Sequence, residues 1–152
     1  MIYLGADHRG FLLKEKISLW IQQWGFPFED LGVDDLDTED DYPDIASLVA
    51  KKVSDHEDRS VGILVCGSGV GVDIVANKFS KIRSALGFSA QQVKSARQED
   101  DVNILCLPAD FLSDKKAQKI IGMFLKEEFL EESKYKRRIE KILSLEKKFV
   151  AK

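Results

Sequence analysis

Six consecutive residues, Cys66-Gly67-Ser68-Gly69-Val70-Gly71, carry the densest chemistry in this 152-residue chain. They follow an apolar, strand-like run and lead into a helical pattern over Val72–Phe79. Three glycines let a backbone come close to a ligand and turn its N–H groups inward, and a helix N-terminus behind them adds positive potential. The segment therefore reads as a seat for a negatively charged atom. It lacks the Gly-Lys-Ser/Thr ending of a Walker loop, and its third glycine comes too early for a dinucleotide fingerprint, so nucleotide binding is the weaker reading. A Cys66 thiolate at the mouth of such a loop would be favoured by the helix terminus and could act as base or nucleophile; a buried core cysteine explains that one residue equally well.

Asp7 and His8 are adjacent at the end of another strand-like run, so their side chains should diverge, one toward the crevice and one toward its rim. Asp7 alone has an ordinary explanation as a helix cap. His8 is harder to dismiss, since the chain has two histidines and His56, in Ser54-Asp55-His56-Glu57-Asp58-Arg59, reads as a solvated loop residue. No histidine or cysteine pair has metal-ligand spacing, so no metal is expected. Lys134-Tyr135-Lys136-Arg137-Arg138 opens the last helical segment. A basic run is usually a solvated face, but cations at a helix start are mildly unfavourable, and a phosphate from elsewhere would justify them.

The elements that must position these residues alternate between short apolar runs and longer amphipathic stretches, the pattern of repeated βαβ units around a parallel sheet. The strands expected are Ile2–Ala6, Phe26–Leu31, Val61–Cys66, Ser84–Phe88 and Asn103–Leu107. Leu13, Ile17, Trp20 and Trp24 recur at helical spacing, with Gly25 where a C-terminal cap belongs. Asp44 can cap a helix to about Ser54, and Ser89 with Gln92 matches a capping box for a helix to about Glu99. A further helix starts after Ser113, and Tyr135–Phe149 makes a last one with Ile139, Ile142, Leu143 and Leu145 on or near one face. The acidic run Asp34–Asp41 reads as a solvated loop near any site at the strand ends.

The expected fold is thus a single α/β domain over residues 1–152, Rossmann-like, with the flavodoxin-like strand order 2-1-3-4-5 and helices on both faces. In that order strands one and three are neighbours whose loops diverge, leaving a crevice at their carboxyl ends where open α/β sheets bind ligands. Asp7, His8 and the glycine loop converge there. Composition sets the outer limits: 44% apolar and 32% charged residues describe an ordinary soluble protein. A net charge of -3 gives no general attraction to nucleic acid or anionic membrane. No secretory signal or membrane-length apolar stretch is expected, and two cysteines cannot make a disulfide framework, so a cytoplasmic setting is the expectation.

Several motifs in order, Gly5-Ala6-Asp7-His8-Arg9-Gly10-Phe11, Asp41-Tyr42-Pro43-Asp44, the glycine loop with Ala76-Asn77-Lys78, Ile82-Arg83-Ser84-Ala85 and Asp101-Val102-Asn103-Ile104-Leu105, resemble the type B ribose-5-phosphate isomerase family. That family includes the galactose-6-phosphate isomerase subunits, and the likeness covers essentially the whole chain. It implies a cofactor-free aldose–ketose isomerase working through a cis-enediolate, in a homodimer or dimer of dimers whose active sites combine residues of two subunits, the C-terminal helix serving dimerisation. It makes Cys66 the base that carries a proton between C2 and C1 of the opened sugar, with the Gly67, Gly69 and Gly71 region as oxyanion hole. Ser68 stands where threonine is usual and can help shuttle a proton between the two oxygens. Asp7 would engage the ring oxygen or hydroxyls, His8 the phosphate, and Tyr42 the pocket wall. Lys134 and Arg138 align with arginines that grip phosphate from the neighbouring subunit, Arg137 being a nearby substitute.

The departures from that pattern are acidic. The ring-opening histidine falls at Glu99, the asparagine after it at Asp100, and a further arginine, after the fifth strand, at Asp110. Glutamate can do acid–base work where its surroundings favour the protonated form. The first expectation is isomerisation of ribose 5-phosphate to ribulose 5-phosphate. The second is the same mechanism on another, six-carbon phosphosugar, and the third a non-catalytic paralogue that binds sugar phosphates.

Overall fold

In the computed structural model, which describes residues 1–32, 38–56 and 59–149, strands and helices alternate from the first residues. The order is β1 (Ile2–Ala6), α1 (Phe11–Gln23), β2 (Phe28–Asp30), α2 (Tyr42–Asp55), β3 (Val61–Cys66), α3 (Val70–Ala76), β4 (Ser84–Leu86), α4 (Ala90–Asp100) and β5 (Ile104–Pro108). A 3-10 turn (Ala109–Phe111), α5 (Asp114–Lys126) and α6 (Ser133–Phe149) complete it. The expected strands are all present, β2 and β4 being shorter than anticipated. Asp34–Asp37, the first part of the acidic run, lies outside the described residues.

All five strands are parallel, in the order β2-β1-β3-β5-β4. The expected 2-1-3-4-5 is corrected at one edge. Every residue of β5 is buried, whereas the three of β4 are only partly covered. A strand hydrogen-bonded on both sides and covered on both faces suits a continuous apolar run such as Ile104-Leu105-Cys106-Leu107, and the short Ser84-Ala85-Leu86 suits an edge. The β1/β3 adjacency, on which the crevice depends, is as expected.

Strand alternation splits the core in two. Leu4, Ile63, Val65, Leu105 and Leu107 face α1, α4 and α5, while Tyr3, Leu64, Cys66, Ile104 and Cys106 face α2 and α3. Because α1 leaves β1 toward one face and α3 leaves β3 toward the other, the two connections part above the sheet. Close packing at the start of α1 needs Gly10: a β-carbon there would lie 2.4 Å from the Val65 carbonyl oxygen.

Local signals fared well where they had a mechanism. α1 ends in a Schellman motif, with Gly25 N–H donating to the Gln22 carbonyl at 3.0 Å and Phe26 N–H to that of Ile21 at 3.2 Å, and Gly25 at φ +76°. Ser89 accepts from Gln92 N–H at 3.1 Å and caps as expected, and Ser113, after which a helix was expected to start, caps it by accepting from Lys116 N–H at 3.4 Å. Asp44 does not cap. It sits in the first turn of α2, which starts earlier because Pro43 suits the opening positions of a helix. The buried stripe of α1 is Leu13, Ile17 and Ile21, with Trp24 at the C-cap and 37% exposed. Ile142, Leu145 and Phe149 of α6 remain exposed. Among the described residues no helix is long and apolar enough to cross a membrane.

Candidate functional site

The crevice at the carboxyl ends of β1, β3 and β5 is built from three loops. The first, Asp7–Gly10, is clamped to β3 by Asp7 N–H donating to the Val65 carbonyl at 3.2 Å. Asp7 is buried, and its Oδ1 accepts from Gly10 N–H at 2.9 Å, so it both closes the turn into α1 and keeps a carboxyl in the crevice. Burial pushes its carboxyl above the usual aspartate range, and the Gly10 N–H only partly offsets this. His8 stands at the rim with Nδ1 on Asp40 Oδ1. That carboxylate, as acceptor and as opposite charge, raises the imidazole's proton affinity above the ordinary value.

The second loop is the glycine loop. Gly69 takes φ +74°, the left-handed conformation, and a β-carbon there would lie 2.4 Å from Leu86 Cδ1 and 3.0 Å from Pro108 N. The turn so formed carries Gly69 N–H back to Cys66 Sγ at 3.1 Å, while Val70 N–H donates to Ser68 Oγ at 3.3 Å. A negative charge on the sulfur would find a donor already in place. Cys66 is 4% exposed, at the strand end and on the α2/α3 face, so solvent competes little for it. Tyr42, at the start of α2, lays its ring against Gly71, where a β-carbon would meet Cε2 at 2.7 Å.

The third loop follows β5. Asp110 N–H donates to the Gly67 carbonyl at 3.1 Å, and its carboxylate pairs with Arg9, whose guanidinium lies over Gly67. Neither the Arg9–Asp110 pair nor the His8–Asp40 pair was expected from sequence. The sequence places the acidic run near the site, but which of its carboxylates meets His8 is decided by the tertiary fold.

Within one chain, then, Asp7, His8, Tyr42, Cys66, Ser68, Gly67, Gly69 and Gly71 come together. Glu99, Asp100, Lys134, Arg137 and Arg138 do not join them. α4 runs from the carboxyl end of β4 to the amino end of β5, so Glu99 and Asp100 finish at the opposite end of the strands from the crevice. There Arg83, just ahead of β4, donates through Nε to the carbonyls of Asp100 at 3.0 Å and Asp101 at 2.9 Å. Leu130 N–H donates to the Gln98 carbonyl at 3.1 Å, which ties the approach to α6 to this same end. Lys134 pairs with Glu132 at 3.1 Å and lies over the Tyr135 ring, with Arg138 5.8 Å from that ring's centre.

Two other features resemble sites but serve structure. A cleft of about 610 Å³ at the amino ends of the strands is lined by Arg59, Arg83 and Arg97, but also by Asp101, Glu127 and Glu131. Arg97 is spent on the carbonyls of Val102 and Glu127, as Arg83 is on those of α4's last turn. Cys106 is fully buried, its thiol pushed well up by burial, and is hydrogen-bonded to Ser84 Oγ at 3.2 Å, which donates to Asp73 at 2.7 Å. Among the described residues no group of three or more His, Cys, Asp or Glu is arranged to hold a metal.

Residues 2–142 match the family model described as Ribose/Galactose Isomerase. The chain is 44% identical over 146 residues to the probable ribose-5-phosphate isomerase B of Mycoplasma genitalium, covering 96% of this chain and 95% of that protein. It is 34% identical over 128 residues to the D-erythrulose-4-phosphate isomerase of Pectobacterium atrosepticum, covering 84% of each. The crystal structure of the Mycoplasma genitalium ribose-5-phosphate isomerase B with bound ribulose-5-phosphate superposes with a TM-score of 0.92 at 43% identity, over 96% of this chain and 95% of that one.

Proposed function

We propose that this chain, which belongs to the ribose/galactose isomerase family, interconverts ribose 5-phosphate and ribulose 5-phosphate at the β1/β3 crevice. It is a sugar-phosphate aldose–ketose isomerase. The observation that carries the reading is the placement of Cys66: a buried thiol at the end of β3, the strand to which the loop bearing the buried Asp7 is hydrogen-bonded, with a loop N–H aimed at its sulfur.

On the opened aldose, Cys66 takes the proton from C2, and the electron pair left behind forms the C1–C2 double bond as charge moves to the C1 oxygen. N–H groups of the Gly67–Gly71 loop stabilise that oxyanion. Ser68 relays the hydroxyl proton from the C2 oxygen to the C1 oxygen. The thiol then returns its proton to C1, and the double bond collapses to a ketone at C2. Nothing is oxidised or reduced overall, so no cofactor is called for. Asp7 and His8 hold the sugar and phosphate ends, and Tyr42 walls the pocket.

The crevice so described is incomplete in one chain. A second copy docking its α4 terminus and α6 start onto the crevice would bring Glu99 and Asp100 to the sugar and Lys134, Arg137 and Arg138 to the phosphate. The exposed apolar residues of α6, Ile142, Leu145 and Phe149, support such docking.

A second reading keeps the mechanism and changes the sugar. The acidic Glu99 and Asp110 support it, as does likeness to an isomerase named for a four-carbon phosphosugar. Assaying four-, five- and six-carbon phosphoaldoses separates the two. Ribose 5-phosphate should give the highest kcat/KM, and a higher value for another sugar would install the second reading.

A further inference from the structure

A phosphosugar brings a dianion into a crevice whose rim is acidic. Asp40, Asp41, Asp44 and Asp110 lie on the segments around it, and Asp7 lies within. Against these the loops of the same chain offer two cationic side chains, His8 and Arg9. His8 is matched with Asp40. Arg9 extends from the β1 loop across the mouth, and its guanidinium fills the space a β-carbon on residue 67 would take, with Cζ at 2.2 Å and Nη1 at 2.6 Å from that position. Through Nη2 it meets Asp110, which the Gly67 carbonyl holds in place through Asp110 N–H at 3.1 Å. Among the described residues Asp110 is its hydrogen-bonded partner, so most of its donors remain available, and its side chain is 55% exposed toward the opening.

We propose that Arg9 is a phosphate-binding residue supplied by the chain's own crevice, and that Asp110 is the positioning residue that holds it over the glycine loop. The assignment rests on the reading of this crevice as a sugar-phosphate site. A guanidinium keeps its charge at any working pH and presents several donors in one plane, so it can hold one carboxylate and still engage a phosphate. Asp110 beside the phosphate would be repulsive on its own. Committed to Arg9, it fixes a long side chain that would otherwise sample many rotamers.

The test is steady-state kinetics with ribose 5-phosphate, with inorganic phosphate as an independent binding probe followed by calorimetry. Arg9→Ala should raise KM and the phosphate Kd by about 10- to 100-fold, the range of one charge-assisted contact, with kcat within about 3-fold of wild type. Arg9→Lys should fall between. Asp110→Ala should raise KM by about 3- to 10-fold, a part of the same contact, and should raise it no further in the Arg9→Ala background, because it acts through Arg9. If Asp110→Ala lowers KM in both backgrounds, Asp110 merely repels phosphate and is not a positioning residue. Unchanged KM and phosphate Kd in Arg9→Ala, or a fall in kcat with phosphate Kd intact, overturns the assignment of Arg9. A wild type that binds phosphate through Arg9 yet turns over no ribose 5-phosphate overturns the proposed reaction and upholds Arg9. No phosphate binding by a wild type that turns over ribose 5-phosphate overturns Arg9 alone, and neither binding nor turnover overturns both.

Discussion

Replacing Cys66 by alanine separates the chemistry of the loop from its architecture. The thiol makes two contributions that can be sized. It accepts the Gly69 N–H at 3.1 Å, and it fills space in a core layer with Leu64 and Val72. Removing it leaves a buried donor without its acceptor and a void of one sulfur atom, which together should cost about 1–3 kcal/mol. In a domain of this size that lowers the melting temperature by about 2–12 °C, so the variant should still be folded at 25 °C. The catalytic loss is larger. A positioned general base is worth about 10²- to 10⁴-fold, or roughly 3–5 kcal/mol of barrier, and methyl has no lone pair to replace it. Deuterium uptake into ribulose 5-phosphate in heavy water, followed by proton NMR, reads proton transfer directly. Cys106→Ala is the matched control. It removes a thiol from the same face of the neighbouring strand, fully buried but hydrogen-bonded to Ser84, so it should lose stability and keep the exchange rate. The reasoning fails if Cys66→Ala retains more than about a tenth of wild-type exchange, or if Cys106→Ala loses as much.

Three further outcomes follow from the geometry. His8 has its proton affinity raised by Asp40, so its positive charge is present below the ordinary histidine value and is lost only as pH climbs through the raised one. KM for ribose 5-phosphate should therefore hold at low pH and rise as pH climbs through the raised value, and Asp40→Asn should start the rise at lower pH; identical profiles would exclude His8 as a phosphate contact. The Lys134→Ala, Arg138→Ala double variant should raise KM more than it lowers kcat. Mixing it with Cys66→Ala should restore activity through hybrid dimers carrying one intact site; light scattering that shows an active monomer would contradict a shared site. Glu99→His should speed turnover of ribose 5-phosphate, whose ring must open, and leave C2 exchange on an already open sugar little changed. An unchanged or lower rate would assign Glu99 to a pocket for another sugar.

What could be read from the sequence followed from how local each determinant is. The glycine loop, the Gly25 end of α1, the Ser89 cap and the helix start after Ser113 are set by a few adjacent residues, and all could be placed in advance. The crevice followed from β1 and β3 being neighbours. The exchange of β4 and β5 in the sheet was not legible, because it turns on which of two apolar runs is buried on both sides, a comparison across the whole fold. The pairing of Arg9 with Asp110 spans a separation of 101 residues, and that of His8 with Asp40 spans 32. Neither has a local signature.

The acidic substitutions bear on whether this crevice still works as an isomerase site. A site released from selection for turnover would be expected to leave charges stranded where partners had gone. Here Asp110 and the C-terminal end of α4 each sit beside an arginine of the same chain. Asp110 carries Arg9. Glu99 and Asp100 add negative charge at the C-terminus of α4, the end where a helix disfavours it, and Arg83 meets that end through the carbonyls of Asp100 and Asp101 and a 2.6 Å contact with the Asp101 carboxylate. Asp101 itself takes φ +48° to close the helix, a conformation aspartate tolerates better than most residues. Cys66, Ser68 and the glycines stand intact beside these changes. Paired charge around the residues proposed to transfer the proton weighs against a paralogue that only binds.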